Sequence, residues 1–410
     1  MKRLLLSGYY GYGNAGDEAV LAGLVTGFRT ARPAGEMEMV ALSGSPSETR
    51  AAHGIAAADR YRPAALLAEI RRADLVLSGG GSLLQDVTSA HGIFYYLGVV
   101  RLAQMLGKKT MFIAQGVGPL KLARSRRLVK SVANRLNAVT VRDPDSARLL
   151  REAGVTRPSI EVTADPALLL EVPEGPHPRP LPHQNGRGES ERNGPHLSAL
   201  SDSPLPLAGE GPGVAAAFGP GAAASSAGPG AGSGVFGVAL RPWGGREGVA
   251  AHVADACASV LSGRRALLLP MQPESDKPVA EQFARQWHQG SQAGNRVTLC
   301  STEKGLMPLL ANIAACDLMI GMRLHALILA AAAGVPSVAL SYDPKVDAFM
   351  QGSGQGDAVY DLGQSDPDVL QSLLRRVWAE RAERGVLLRA ALPSLRARAA
   401  RNVDVALALL

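Results

Sequence analysis

Short apolar runs that stop at a glycine-rich turn, each turn followed by a helical pattern, recur along almost the whole of this 410-residue sequence. In the first half such runs fall at 4–8, 37–42, 75–79, 111–116, 138–141 and 160–163, with helical patterns between them at 63–72, 94–106 and 124–136. The second half repeats the theme, with runs at 235–240, 266–270, 317–320 and 337–340 and helical patterns at 249–261, 277–288 and 324–333. Apolar runs of this length bounded by glycine read as buried strands; longer stretches with apolar positions every three or four residues read as helices. Strands that alternate with helices form parallel sheets joined by crossover helices. The sequence therefore predicts an α/β protein of two doubly wound, Rossmann-like domains facing a cleft. Ligands of such folds sit at the carboxyl ends of the strands. The first domain is placed at 1–172 and the second at 235–385. A C-terminal helix follows at 386–410, the long final helical pattern being broken near Pro393.

The segment between the domains, 173–234, has a different composition. Its 62 residues hold 11 Pro and 13 Gly, and two proline-alternating pieces precede an Ala/Gly/Ser tract. It cannot bury enough apolar surface to offset its ordering entropy, so a flexible, disordered linker is expected there. Its histidines, His177, His183 and His196, are correspondingly poor ligand candidates.

Over the whole chain, 46% hydrophobic and 19% charged residues describe a globular protein with ample core. No stretch approaches the ~20 apolar residues that span a bilayer. The N-terminal leucines run straight into a glycine turn and read as a first strand, not a signal peptide. Three cysteines without CxxC spacing, Cys257, Cys300 and Cys316, favour neither a disulfide framework nor a zinc site, which makes the cytosol the default compartment. The net charge of +7 comes largely from arginine, eight of them between Arg375 and Arg401, with a second basic stretch at 121–135. With 4% aromatic residues and no recognition motif, nucleic-acid binding is not expected. Anionic substrates or an acidic membrane surface remain as reasons for the charge, beside plain solvated helix faces.

Four strand-end motifs carry chemistry. GYYGYGNAGDE at 8–18 follows the first strand and opens a helix. Its Asp17 and Glu18 would repel a pyrophosphate, so a sugar-hydroxyl site using Asn14 and Asp17 is favoured over nucleotide binding. SGGGSLLQD at 78–86 and QGVGP at 115–119 are further glycine turns, readable as tight βα connections or as backbone approaches to a ligand. The fourth, Gly321-Met322-Arg323-Leu324-His325, sets an arginine fork, a helix N-terminus and a group that titrates near neutrality on one turn. Lys345 in the SYDPK turn and Arg142 in VRD supply cations from neighbouring strand ends. Asp17, Glu18, Asp86 and Asp165 lie on different turns, so no metal cluster and no obligatory divalent metal are expected.

These motifs resemble those of the polysaccharide pyruvyl transferases, specifically the bacterial cell-wall type acting on N-acetylmannosamine. The matching pieces, GYYGYGNAGDEAVL, LVLSGGGSLLQDVTS, AQGVGPL, VRDPDS, GMRLHALILAAAAGVP and LSYDPKV, span residues 7–345. The resemblance implies a two-domain, glycosyltransferase B-like fold with phosphoenolpyruvate as donor co-substrate and no other cofactor. It also implies a lipid-diphosphate-linked disaccharide as acceptor, which would bring the protein to the inner face of the membrane. There the arginine-rich end, 375–401, would meet anionic lipid. By motif match, Arg323, Leu324 and His325 fall on donor-binding positions, with Lys345 and Arg142 supporting them. His325 is the candidate general acid/base. Asn14, Asp17, Gly80, Gly81, Gln85 and Asp86 are the acceptor-side candidates. The insertion at 173–234 departs from the family pattern. A nucleotide-sugar glycosyltransferase and a catalytically silent glycan- or anion-binding protein are the alternatives.

Overall fold

The structure is a computed structural model that describes residues 1–32, 35–86, 90–173, 234–244, 248–289, 296–301, 305–363 and 366–410. All but the two end residues of the predicted linker lie outside these.

Two parallel sheets organise the chain. The first contains β1 (Lys2–Tyr10), β2 (Met37–Ser43), β3 (Ala56–Asp59), β4 (Leu75–Gly79), β5 (Lys109–Gln115), β6 (Ala138–Val141) and β7 (Ile160–Val162), in the order β3-β2-β1-β4-β5-β6-β7. The second contains β8 (Val235–Ala239), β9 (Arg265–Leu268), β10 (Arg296–Leu299), β11 (Leu318–Gly321), β12 (Ser337–Ser341) and β13 (Val359–Asp361), in the order β10-β9-β8-β11-β12-β13. In both sheets the winding direction reverses beside the first strand, at β1/β4 and at β8/β11. That reversal opens a crevice at the carboxyl ends of the strands. The central strands are buried on both faces; Leu4, Leu5 and Leu6, for example, all point into core. This explains why they read as continuous apolar runs instead of alternating ones.

The sequence reading omits β3, β10 and β13, and all three are sheet edges. Their sequences, AAAD, RVTL and VYD, are short and only partly buried. An edge strand packs against one neighbour, so little apolar patterning is needed to hold it.

The C-terminus departs from expectation. One helix, Pro367–Leu407, runs through Pro393 without ending, and no division exists at 385/386. A proline inside a helix costs about 3 kcal/mol. Leu388, Leu392, Leu395, Ala399 and Val403 are buried on both sides of it, and that burial outweighs the break. The helix begins in the second domain and ends against the first. There the buried Asn402 accepts from Thr140 Oγ1 at 2.6 Å and Thr163 Oγ1 at 2.8 Å and donates to the Ala164 carbonyl at 2.9 Å. Its arginines are largely engaged within the chain. Arg376 and Arg384 hold Asp357, Arg401 holds Glu161, and Arg396 and Arg398 donate to carbonyls of Leu168, Leu170 and Thr163. Much of the charge expected to face a membrane thus fastens this helix across both domains. No helix among the described residues is long and apolar enough to cross a membrane.

Candidate active site in the interdomain cleft

The carboxyl ends of the two sheets line one cleft of about 690 Å³. Asn14, Asp17, Gln85 and Arg142 reach it from the first domain, and Arg323, Leu324, His325 and Lys345 from the second. The other three acceptor-side candidates do not line it. Gly80 packs on the first helix, where an added Cβ would lie 2.4 Å from Val20. Gly81 stands behind Asp17, and Asp86 turns away to accept the backbone N–H groups of Lys121 and Leu122, each at 2.8 Å. The triple glycine therefore serves close packing, with one useful consequence. A Cβ on Gly81 would meet Asp17 Oδ1 at 2.7 Å, so glycine there gives the carboxylate its place.

The helix Ala15–Ala31 starts where Asn14 caps it, its side chain accepting from the Gly16 N–H at 3.0 Å. Gly16 then faces the other domain. A Cβ there would sit 2.2 Å from His325 Nδ1, so the imidazole packs on bare backbone. One residue earlier, the Ala15 N–H donates to the Met271 carbonyl at 2.8 Å, a main-chain bond across the cleft. Beyond it, His325 Nε2 lies 3.5 Å from Asp165 Oδ2, at ion-pair range when the ring is protonated. Asp165 also accepts from Arg142 Nη1 at 2.9 Å, and Arg142 Nη2 donates to Ser82 Oγ at 2.8 Å.

The two aspartates are driven apart. Burial pushes Asp17 up to about 6, against the pull of His325 and Arg142. Burial opposes ionisation at Asp165 too, but His325, Arg142 and the Ala167 N–H overcome it and hold that carboxyl at about 2. Separated carboxylate titrations of this kind distinguish a proton carrier from a permanent charge. Asp17 can hold or release a proton near neutrality, while Asp165 stays ionised behind His325. The sequence reading treats these acids as scattered over different turns; the fold brings two of them to one histidine. Among the described residues no three His, Cys, Asp or Glu side chains gather as a metal-binding group.

Arg323 occupies the N-cap position of the helix Leu324–Ala332, but its side chain does not cap it. The guanidinium instead faces the fully buried Asp276. Nε donates to Oδ2 at 3.0 Å, while Nη2 donates to Oδ1 and, at 3.1 Å, to Ser275 Oγ. The fork expected to hold a donor anion is thus half engaged, its Nε–Nη2 edge being turned to Asp276. Lys345 lies 2.9 Å from Asp343 Oδ2, and Asp343 caps the helix Pro344–Gly352. Arg241, at the end of β8, donates to Tyr342 Oη at 3.0 Å.

Sequence reasoning weighed Asp165 only as one of several scattered acids, and missed Asp276, Arg60, Arg241 and a wall of tyrosines. Asp165 precedes a proline, as Asp143 and Asp343 do, and all three signal a helix start equally well. Asp276 reads as a first-turn acid for the helix Pro273–Gln289, and with Glu274 it puts two acids in a turn of the second domain. Arg60 follows β3, which the pattern does not reveal.

A family model described as polysaccharide pyruvyl transferase matches residues 14–344. No curated protein matches the chain in sequence. Among solved structures, Anabaena Alr3699/HepE in complex with UDP-glucose is similar, with TM-score 0.58, 14% identity, and coverage of 98% of this chain and 99% of that one. The UDP-GlcNAc 2-epimerase of Neisseria meningitidis bound to UDP-GlcNAc gives TM-score 0.59 at 10% identity, covering 99% of each chain. The UDP-GlcNAc 2-epimerase of Methanocaldococcus jannaschii gives 0.52 at 9%, covering 91% of this chain and 92% of that one. At these identities the likeness concerns the fold, which is glycosyltransferase B-like.

Proposed function

This chain belongs to the polysaccharide pyruvyl transferase family, a transferase family, and on that premise we propose that phosphoenolpyruvate is its donor. In this reading the acceptor is an N-acetylmannosamine residue of a lipid-linked cell-wall polysaccharide precursor. The reaction closes a cyclic ketal on the sugar and releases phosphate. The observation that carries the reading is the convergence of Arg323, His325 and Lys345 from one domain with Asp17 and Arg142 from the other in one cleft.

The donor's carboxylate and phosphate call for several cations. The Nη1 edge of Arg323, the N–H groups opening the helix Leu324–Ala332, Lys345 and Arg142 supply them. Addition begins when one sugar hydroxyl bonds to C2 of the enol phosphate while C3 gains a proton. Asp17, on the acceptor side, takes the hydroxyl proton. His325, held by Asp165 on the donor side, gives the proton to C3. The resulting tetrahedral adduct expels phosphate, and the second hydroxyl closes the ring. The new methyl group thus carries the proton from His325, the first hydroxyl's proton rests on Asp17 and the second hydroxyl's leaves with phosphate; the cycle closes when Asp17 releases its proton to solvent and His325 takes one up.

Phosphate release from phosphoenolpyruvate, measured with and without an N-acetylmannosamine-containing acceptor, tests the proposal. Acceptor-dependent release supports it. Consumption of a nucleotide sugar instead would identify the glycosyltransferase alternative, and turnover of neither a silent binding protein. Contact with the membrane's inner face is a separate matter, decided by co-sedimentation with anionic vesicles at low salt.

A further inference from the structure

One wall of the cleft does no work in this mechanism. The chain has eight tyrosines, and five of them, Tyr9, Tyr12, Tyr61, Tyr95 and Tyr96, line the first-domain side. At their centre is Arg60, which is 7% exposed. Its guanidinium carbon lies 4.2 Å from the Tyr95 ring centroid, 5.2 Å from Tyr96, 5.4 Å from Tyr12 and 5.9 Å from Tyr61. Tyr9 and Tyr12 stack at 4.3 Å, and the Tyr12 and Tyr61 hydroxyls are hydrogen-bonded to each other. Tyr61 is 68% exposed, so part of this aromatic surface is open.

Arg60 differs from the three cations assigned to the donor. Arg142, Arg323 and Lys345 each hold a carboxylate, whereas among the described residues none lies within ion-pair distance of Arg60. Nη1 donates to the Gly8 carbonyl at 2.9 Å, and the buried Nε has no hydrogen-bond partner. A buried cation lacking a counter-charge is costly unless a ligand supplies one. Aromatic faces alone bind a pyranose ring through its C–H surface. An added cation selects a ring that bears negative charge.

We propose that Arg60 and this tyrosine wall form an acceptor subsite for an anionic saccharide, the ring against the tyrosines and its phosphate or carboxylate at Arg60. The inference rests on the pyruvyl-transfer reading only in assigning this wall to the acceptor. The shared chemistry is a sugar with an attached anion, and separate probes distinguish its sources.

Calorimetry on the full chain would compare N-acetylglucosamine 1-phosphate, glucuronate, free N-acetylglucosamine and inorganic phosphate. Either or both of the charged sugars should bind at least ten-fold more tightly than free N-acetylglucosamine and inorganic phosphate. Arg60→Gln should abolish that preference while changing phosphoenolpyruvate affinity less than two-fold. Tyr61→Ala, at a largely exposed position, should weaken charged and neutral sugars alike by several-fold. Equal binding of charged and neutral sugars, or a charge preference that survives in Arg60→Gln, overturns the proposal, as does a Tyr61→Ala variant with unchanged affinities. Arg60-dependent sugar binding by a wild-type protein that releases no phosphate from phosphoenolpyruvate would keep this subsite and sink the transfer reading instead.

Discussion

Replacing Arg323 by alanine should damage two properties at once, and the structure says how to separate them. The side chain faces Asp276, which is fully buried and whose remaining contacts are Ser275 Oγ at 2.9 Å and the Gln272 N–H at 3.0 Å. Removing one partner of a buried ion pair costs about 3–5 kcal/mol, because the other charge is left without compensation. The two surviving hydrogen bonds, and a 16% exposed arginine side chain, favour the lower end, about 3 kcal/mol. For a domain of this size that corresponds to a fall of roughly 6–12 °C in Tm. Arg323→Ala combined with Asp276→Ala removes both charges and should regain much of that loss, a non-additivity on the order of 2 kcal/mol. Donor affinity should follow a different pattern: weakened about ten-fold or more in both variants lacking Arg323, whether or not Asp276 is present. Thermal melts beside phosphoenolpyruvate calorimetry read the two effects separately. An Arg323→Ala variant melting within a degree or two of wild type would refute the argument that Asp276 depends on this arginine. So would a double variant no more stable than the single one.

Four further outcomes are expected. Asp17→Asn should lose roughly 10²–10⁴-fold in turnover and, above pH 6, gain stability. The folded carboxyl titrates at about 6, above its unfolded value, so stability falls as pH rises through that window and the penalty is complete above it; its removal is worth on the order of 1–3 kcal/mol at pH 7.5 and nothing at pH 4, as denaturant melts at both pH values would reveal. Asp165 has the opposite sign, its contribution being present above pH 4 and lost as pH falls toward 2. His325→Asn should keep most of its phosphoenolpyruvate affinity while turnover falls by roughly 10²–10⁴-fold; near wild-type phosphate release would reduce His325 to a ligand or packing residue. Gly16→Ala would place a Cβ 2.2 Å from His325 Nδ1, so the imidazole must shift and turnover should drop at least ten-fold; an unchanged kcat would show that the imidazole position is not set by this contact.

How much of this protein its sequence decides differs between backbone and site. The central strands are legible because both faces are buried and most of their residues are apolar; β3, β10 and β13 are not, because an edge asks little of its side chains. The break expected near Pro393 does not occur, since local propensity cannot register two domains packed along one helix. In the site, Arg323 and His325 stand out because a cation and an imidazole on one glycine-led helix start are both local features. Asp165 and Asp276 carry no such mark: each reads as an ordinary helix-start acid, and only the fold places one behind His325 and the other behind Arg323. The same holds for Arg60 and its tyrosines, drawn from three separate stretches of chain. Spacing along the sequence fixes which groups share a turn. Which turns share a cleft, and which charges neutralise one another inside it, depends on how parallel strands order themselves in a sheet and how two sheets dock, and that is settled by long-range packing between residues far apart in the chain.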